Sequence, residues 1–445
     1  MKQANLKTML MMTSAAGLLT LSACGGAPAP ATSPGNADKG APKDKQEPVT
    51  LTIQYNWSSP NVDNKLYKDR IQKFKEQNPN IKIEEQDVPS GQYITKLRTQ
   101  AAGKSLPDMF VLFPGVEMDP FIAADVLLPI DEIMPTWKGL LSDQAVAGYK
   151  VNGKQYAVPA KRTFVDIIYY HKDMLAKVGY KEFPKTYADF LTMMQKLKDS
   201  GVTPMAMGNK NKWPMESTFM SAVEDRLTGS DFLLKVIKGE AKFTDPQYVK
   251  SLEVIADFAK IGAFNADINT MDEVQQQDYF LQKKAAMTMT SSTIDAKFRV
   301  NNSDKAAADN IGIALFPAVE GGKGDPTASA GAIQYGIGLN KELSGAKKEA
   351  AFKFLKFFYA PELYQDLLKL GIIVPATVEI PADVNPYLKE MMQLTKNGSA
   401  LVFDGTMHST VKDALMNGIQ AITAKVRTPE LVAKDMQDAV DKLRK

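Results

Sequence analysis

Between Val49 and Phe113 the apolar period of the chain switches four times, and this alternation restricts the fold more than any other feature. "VTLTIQYNW" sets Val49, Leu51, Ile53 and Tyr55 two residues apart, as a strand does. "DNKLYKDRIQKFKEQNPN" puts Leu66, Tyr67, Ile71 and Phe74 on one helical face and stops at Asn78-Pro79. "IKIEEQDV" reads as a second strand and "GQYITKLRTQAAGK" as a second amphipathic helix. "PDMFVLF" is a nearly continuous apolar strand, the pattern of a sheet covered on both faces. Strand–helix–strand–helix–strand in so few residues implies parallel pairing with right-handed crossovers. Ligands of such sheets sit beyond the carboxyl ends of the strands, where Trp57 and the Phe113–Asp119 loop lie.

The alternation resumes after "VPAKR". "TFVDIIYY" reads as a strand, "YADFLTMMQKLKDSG" as a helix closed by Gly201, and "TPMAMG" as a strand. "DPQYVKSLEVIADFAKIG" reads as a helix, "KAAMTMTSS" as a strand and "GAIQYGIGLN" as a strand relaxed by glycine. "KKEAAFKFLKFFYAPELYQDLLKLG" gives one long or two short helices, and the chain from Thr410 to Lys445 is helical. The fold class is therefore α/β, and the length suits two domains rather than one core.

Cys24 is the only cysteine, so it has no disulfide partner within the chain. It follows Lys2, Lys7 and the apolar run "TMLMMTSAAGLLTL", which reads as an export signal rather than a spanning helix. "Leu21-Ser22-Ala23-Cys24" resembles a bacterial lipobox, in which the cysteine is lipidated and becomes the new N-terminus. The alternative is an ordinary signal peptide cut near an incidental cysteine. Residues 1–23 are thus expected to be the signal peptide. Residues 24–48, dense in Pro, Gly and Ala, are expected to be the lipidated Cys24 and a flexible tether reaching roughly 25–30 Å. Acyl chains on Cys24 would hold the protein on the outer face of the cell membrane. The formal charge of +3 falls to +1 without Lys2 and Lys7, so no basic excess points to nucleic acid.

Four further stretches resemble a family 1 extracellular solute-binding protein, the group that includes maltose-type sugar receptors of ABC importers. They are "YITKLRTQAAGKSLPDMFVL", "VNGKQYAVPAKRTFVDIIYYHKDMLAKVGY", "YFLQKKAAMTMTSS" and "KKEAAFKFLKFFYAPELYQDLLKLGIIVPA". Asn152, Ala157, His171 and Lys283 depart from the family pattern. The resemblance implies a periplasmic-binding-protein-like fold: two α/β lobes, a multi-crossing hinge and a ligand cleft between them. It places lobe 1 at 49–158 plus 331–374 and lobe 2 at 159–330 plus 375–445. Crossings near Val158-Pro159, Ala330-Gly331 and Val374-Pro375 would be hinges, although Gly331 could instead relieve crowding in a strand. It further implies a carbohydrate ligand, a sugar or oligosaccharide, with ABC permease subunits as partners. A monomer without cofactor or metal is expected.

A sugar offers an apolar ring face to an aromatic side chain and hydroxyls to polar ones. Trp57 and Trp213 are the stacking candidates, with a core or hinge-capping place as the alternative for Trp57. Trp137 reads as structural, and Asp108 as a brace at a strand end. Glu117 and Asp119 could accept hydroxyls or lie on the surface. Arg162 and Phe164 follow the first crossover, with an ordinary salt bridge as the alternative for Arg162. Glu216, Phe403 and Asp404 complete the candidates, with His408 nearby. Many relatives carry a Gly-Ser-Trp segment after Ala-Ala-Met. Here Ser291-Ser292-Thr293 stands in that place, so Ser292 and Thr293 keep hydroxyls without a stacking face.

"AAGKS" lacks the first glycine of a phosphate loop, since Arg98 stands there. Neither a Gly-x-Ser-x-Gly elbow nor a Cys/His zinc pattern occurs in the sequence. A surface-anchored glycoside hydrolase remains the alternative from another class, since sequence alone does not set the separation of two carboxyl groups. A binding protein for a non-sugar solute is the third.

Overall fold

The structure, a computed structural model, describes residues 48–397 and 399–444. The export signal, Cys24 and all but Pro48 of the tether lie outside the described residues. Its helices and strands build two lobes with separate apolar cores. One core gathers residues from 51–160 and 337–372, the other from 168–316 and 403–440.

The first sheet runs in the order Gly336–Leu339, Met109–Leu112, Val49–Tyr55, Ile81–Asp87. The three N-terminal strands pair in parallel, as the alternation requires. Gly336–Leu339 closes the edge antiparallel to Met109–Leu112, although more than 200 residues separate them. Helix Val62–Gln77 buries Tyr67, Ile71 and Phe74 against this sheet, with Leu66 partly covered. Arg70 lies on the same helix and donates to the carbonyls of Phe357 (2.6 Å) and Phe358 (3.0 Å). These are terminal carbonyls of helix Gly345–Phe358, where a cation meets the negative end of the helix dipole. Asp108 accepts from the Thr52 amide at 2.8 Å and so braces two strands.

Trp137 is 2% exposed, and its indole donates to the Tyr359 carbonyl at 2.9 Å. Trp137→Phe removes that donor while keeping most of the apolar volume. The expected loss in unfolding free energy is about 1–3 kcal/mol, because a buried carbonyl loses its partner. A urea midpoint equal to that of the wild type would contradict this.

The second sheet runs Ile311–Ala314, Ile167–His171, Ala285–Thr290, Thr203–Ala206. A third sheet joins Lys161–Phe164 to Ser329–Gln334 antiparallel, with the short strand Ser399–Ala400 beside the latter. Two expectations need correcting here. "TFVDIIYY" is not one strand: it breaks at Val165-Asp166 between two sheets. The break is held by Asp166, fully buried, whose carboxylate accepts from the Ser329 hydroxyl and from the Ala330 amide. "GAIQYGIGLN" likewise splits, into Ser329–Gln334 and Gly336–Leu339 around Tyr335, whose φ is +57°. Gly336 makes the turn possible. A Cβ there would lie 2.6 Å from the Ala157 methyl and 2.8 Å from the Tyr149 ring.

The ambiguous helical stretch resolves into Gly345–Phe358 and Pro361–Lys369, because proline starts a helix more readily than it continues one. The C-terminal segment forms Ser409–Thr423 and Pro429–Leu443. Among the described residues no helix is long and apolar enough to cross a membrane.

Candidate functional site

The lobes meet along two groups of polar residues. The first lies where strand Val49–Tyr55 ends and strand Lys161–Phe164 begins. Lys161 is 4% exposed and its ammonium binds the Asp63 carboxylate at 2.5 Å. The same ammonium lies 4.3 Å from the centre of the Tyr335 ring. Tyr335 contacts Tyr67 and Phe113 with ring centres 6.2 and 5.8 Å away. Burial raises the Tyr335 phenol pKa, and the Asp63 charge adds to that, so the hydroxyl stays protonated. Three buried atoms here have no protein hydrogen-bond partner, Asn56 Oδ1, Asp63 Oδ1 and Thr163 Oγ1, and two more, Trp57 Nε1 and the Tyr67 hydroxyl, lie in the first core. Buried polar atoms without partners are uncommon.

The second group lies at the facing loops. The short 3-10 turn Gly115–Met118 of the first lobe abuts helix Phe403–Thr406 of the second. Gly115 has φ +70°, and a Cβ there would stand 2.5 Å from the Gly405 carbonyl oxygen. Glu117 pairs with Lys412 across this contact and accepts from Arg98 at 2.9 Å. Lys412, on helix Ser409–Thr423, also donates to the Asp404 carbonyl at 3.1 Å. Glu216 sits on the wide π-turn Met215–Met220, 1% exposed, with Oε1 unpartnered. Burial first, then the Asp404 charge, push its carboxyl pKa well above the ordinary range. Asp404 is raised too, by burial, with Lys412 opposing. Asp119 is raised by burial and opposed by His408.

Glu117, Glu216 and Asp404, which lie in three separate segments of the sequence, thus come together. Trp213 is the one tryptophan with an open face, 37% exposed. It stands two residues from Asn211, whose side-chain oxygen would be 3.0 Å from a Cβ on Gly91 of the first lobe. Arg162 is exposed, with its guanidinium 5.3 Å from the centre of the Phe164 ring.

Other candidates take structural places. Trp57 is 2% exposed and stacked on Tyr55 (centres 4.3 Å apart, planes 13° apart) and Phe358 (6.3 Å, 10°). The pleat at the end of the strand turns its ring into the helix layer, which leaves the indole N–H, not the ring face, as its unsatisfied group. Phe164 is 3% exposed in a small core with Ile167 and Tyr169, and Phe403 is fully buried in the second core. The Ser292 hydroxyl accepts from the Phe164 amide at 3.1 Å, and the Thr293 hydroxyl lies 2.6 Å from that of Ser291. His408 caps helix Ser409–Thr423 by accepting from the Thr410 amide at 3.2 Å.

Lys412, Arg98, Asp63 and Lys161 escaped sequence reasoning. Each looks like any charge on an amphipathic element, and only the fold buries Asp63, Lys161 and Lys412 and sets Arg98 against Glu117. Among the described residues no group of three or more His, Cys, Asp or Glu could hold a metal.

Comparison with known proteins gives a consistent picture. The profile of the family described as bacterial extracellular solute-binding protein matches residues 58–365. An uncharacterized ABC transporter extracellular-binding protein of Pyrococcus horikoshii is 26% identical over 416 residues, 91% of this chain and 90% of that one. The multiple sugar-binding protein of Streptococcus mutans is 25% identical over 353 residues, 77% and 79% of the two chains. Among solved structures, a chitin oligosaccharide binding protein superposes with a TM-score of 0.82 at 24% identity, covering 88% of this chain and 98% of that one.

Proposed function

Since the chain belongs to the bacterial extracellular solute-binding protein family, we propose that it is the substrate-binding lipoprotein of a carbohydrate ABC importer. It captures a sugar or oligosaccharide between lobes at 49–158 plus 331–374 and 159–330 plus 375–445, and delivers it to a membrane permease. Cys24 carries the lipid anchor, and the protein acts as a monomer. The observation that carries this reading is the set of unpartnered polar atoms on Asn56, Asp63 and Thr163, residues that flank the Lys161–Asp63 pair joining the two lobes. Hydroxyls both donate and accept, so a sugar can satisfy a mixed set of this kind. The relatives named for sugar binding support the same class of solute.

The protein binds its solute and leaves it unchanged. Glu117, the exposed-side carboxylate of the second group, is already tied to Lys412 and Arg98. That arrangement suits holding two lobes together better than donating a proton to a glycosidic oxygen. Trp213 supplies the stacking face, and Arg162 bonds hydroxyls at the cleft edge.

A thermal-shift screen of a glycan library tests the reading. A ligand at about 100 times its Kd adds about 2.7 kcal/mol to the native state and raises Tm. Trp213→Ala is expected to weaken the best hit about tenfold, the scale of one aromatic contact. A library in which no glycan raises Tm overturns the sugar reading, and unchanged affinity in Trp213→Ala overturns the stacking role.

A further inference from the structure

The contact between Glu117 and Lys412 lies away from the unpartnered polar atoms beside Asp63, and both its ends are already engaged by protein. The Lys412 side chain is 7% exposed and that of Glu117 is 15% exposed. Lys412 stands in the first turn of helix Ser409–Thr423, where a cation opposes the helix dipole. Its placement there needs compensation, and two groups supply it: the Glu117 carboxylate from the first lobe and the Asp404 carbonyl from the second. Arg98 holds the other Glu117 oxygen at 2.9 Å, so the carboxylate is fixed from its own lobe before it meets Lys412. The backbones touch at the same spot, and only glycine at position 115 allows it.

We propose that Lys412 is a positioning residue for lobe closure: its tie to Glu117 holds the two lobes together without solute, and so sets how much of the chain is preorganised to bind. This rests on the two-lobe reading above and deepens it, because a solute then binds a partly closed protein. Ligand contacts add to an equilibrium that the chain itself has biased. Glu216 supports the arrangement from behind. Buried beside Asp404 and favouring its neutral form, it spares the cluster a further negative charge.

The test is small-angle scattering and hydrogen exchange of the full chain without sugar, in the wild type, Glu117→Gln, Lys412→Met and the double variant. Each single change is expected to open the lobes and to lower amide protection over residues 115–118 and 403–407 at least about tenfold. The double variant should open no further, because both changes remove one interaction. Lys412→Arg keeps the charge and should restore most of the closure, which a merely structural role for the lysine stem would not predict. If Lys412→Met does not fold, the double variant, with neither charge left unpaired, decides the matter by the same readouts. Scattering and protection unchanged in the double variant would overturn the proposal, as would a wild type already open without sugar. Failure of every glycan to bind leaves these results standing and counts only against the sugar reading.

Discussion

Lys161→Met is expected to be the most destabilising single substitution at the junction of the lobes, lowering the unfolding free energy by about 3–5 kcal/mol. The Asp63 side chain is 2% exposed, and one of its oxygens has no partner even with Lys161 present. Without the lysine, a charged carboxylate stays buried against Tyr67 and Tyr335 with nothing to balance it. Most of the loss should return in Lys161→Met/Asp63→Asn, because the cost comes from the unpaired charge and not from the missing pair. Chemical denaturation of the four proteins of this cycle measures it. A single variant as stable as the wild type, or a double variant no better than the single, would show that Asp63 relaxes to water instead.

The second large effect concerns pH. Glu224 is 3% exposed on helix Ser221–Thr228, and burial pushes its carboxyl up to about 8, with the Asp225 charge adding to it. The Thr228 hydroxyl donates to it at 2.9 Å and opposes part of that shift. The folded value lies above the ordinary value of 4.5, so the folded state binds the proton more tightly than the unfolded chain. Stability from this group is therefore complete below the ordinary value and is lost as pH rises through about 8. Glu224→Gln keeps the shape and cannot ionise. It should match the wild type near the acid end of that window and exceed it by a few kcal/mol at the alkaline end. Melting temperatures of both proteins across the range measure the gap, and a gap that does not change with pH would refute the assignment.

The candidate site shows what sequence reading can and cannot place. Glu117 stands in a loop after an apolar strand, Glu216 follows the Trp213 loop, and Asp404 lies where the family resemblance implies a cleft; the fold brings them to one place. Polar residues at element ends collect at the open edges of α/β sheets, so their type and position carry information. The aromatic candidates divide differently. Trp57 and Trp213 both follow strands, yet one is packed between Tyr55 and Phe358 and the other is open. Which side of the pleat faces the helix layer depends on register with the neighbouring strands, which a single sequence does not state.

By itself the sequence determined what is local. The period of apolar residues dictated parallel strands and covering helices from Val49 to Phe113, and Pro361 divided one helical stretch into two. Tertiary structure alone decided what depends on distant partners. Glu117 and Lys412 are 295 residues apart, and Lys161 is 98 residues from Asp63. The left-handed turn falls on Tyr335, while the glycine beside it is required because Ala157 and Tyr149 crowd position 336. Backbone periodicity is set by neighbours a few residues away. Charge pairing and burial are set by whatever the folded chain brings alongside, and no local pattern encodes that.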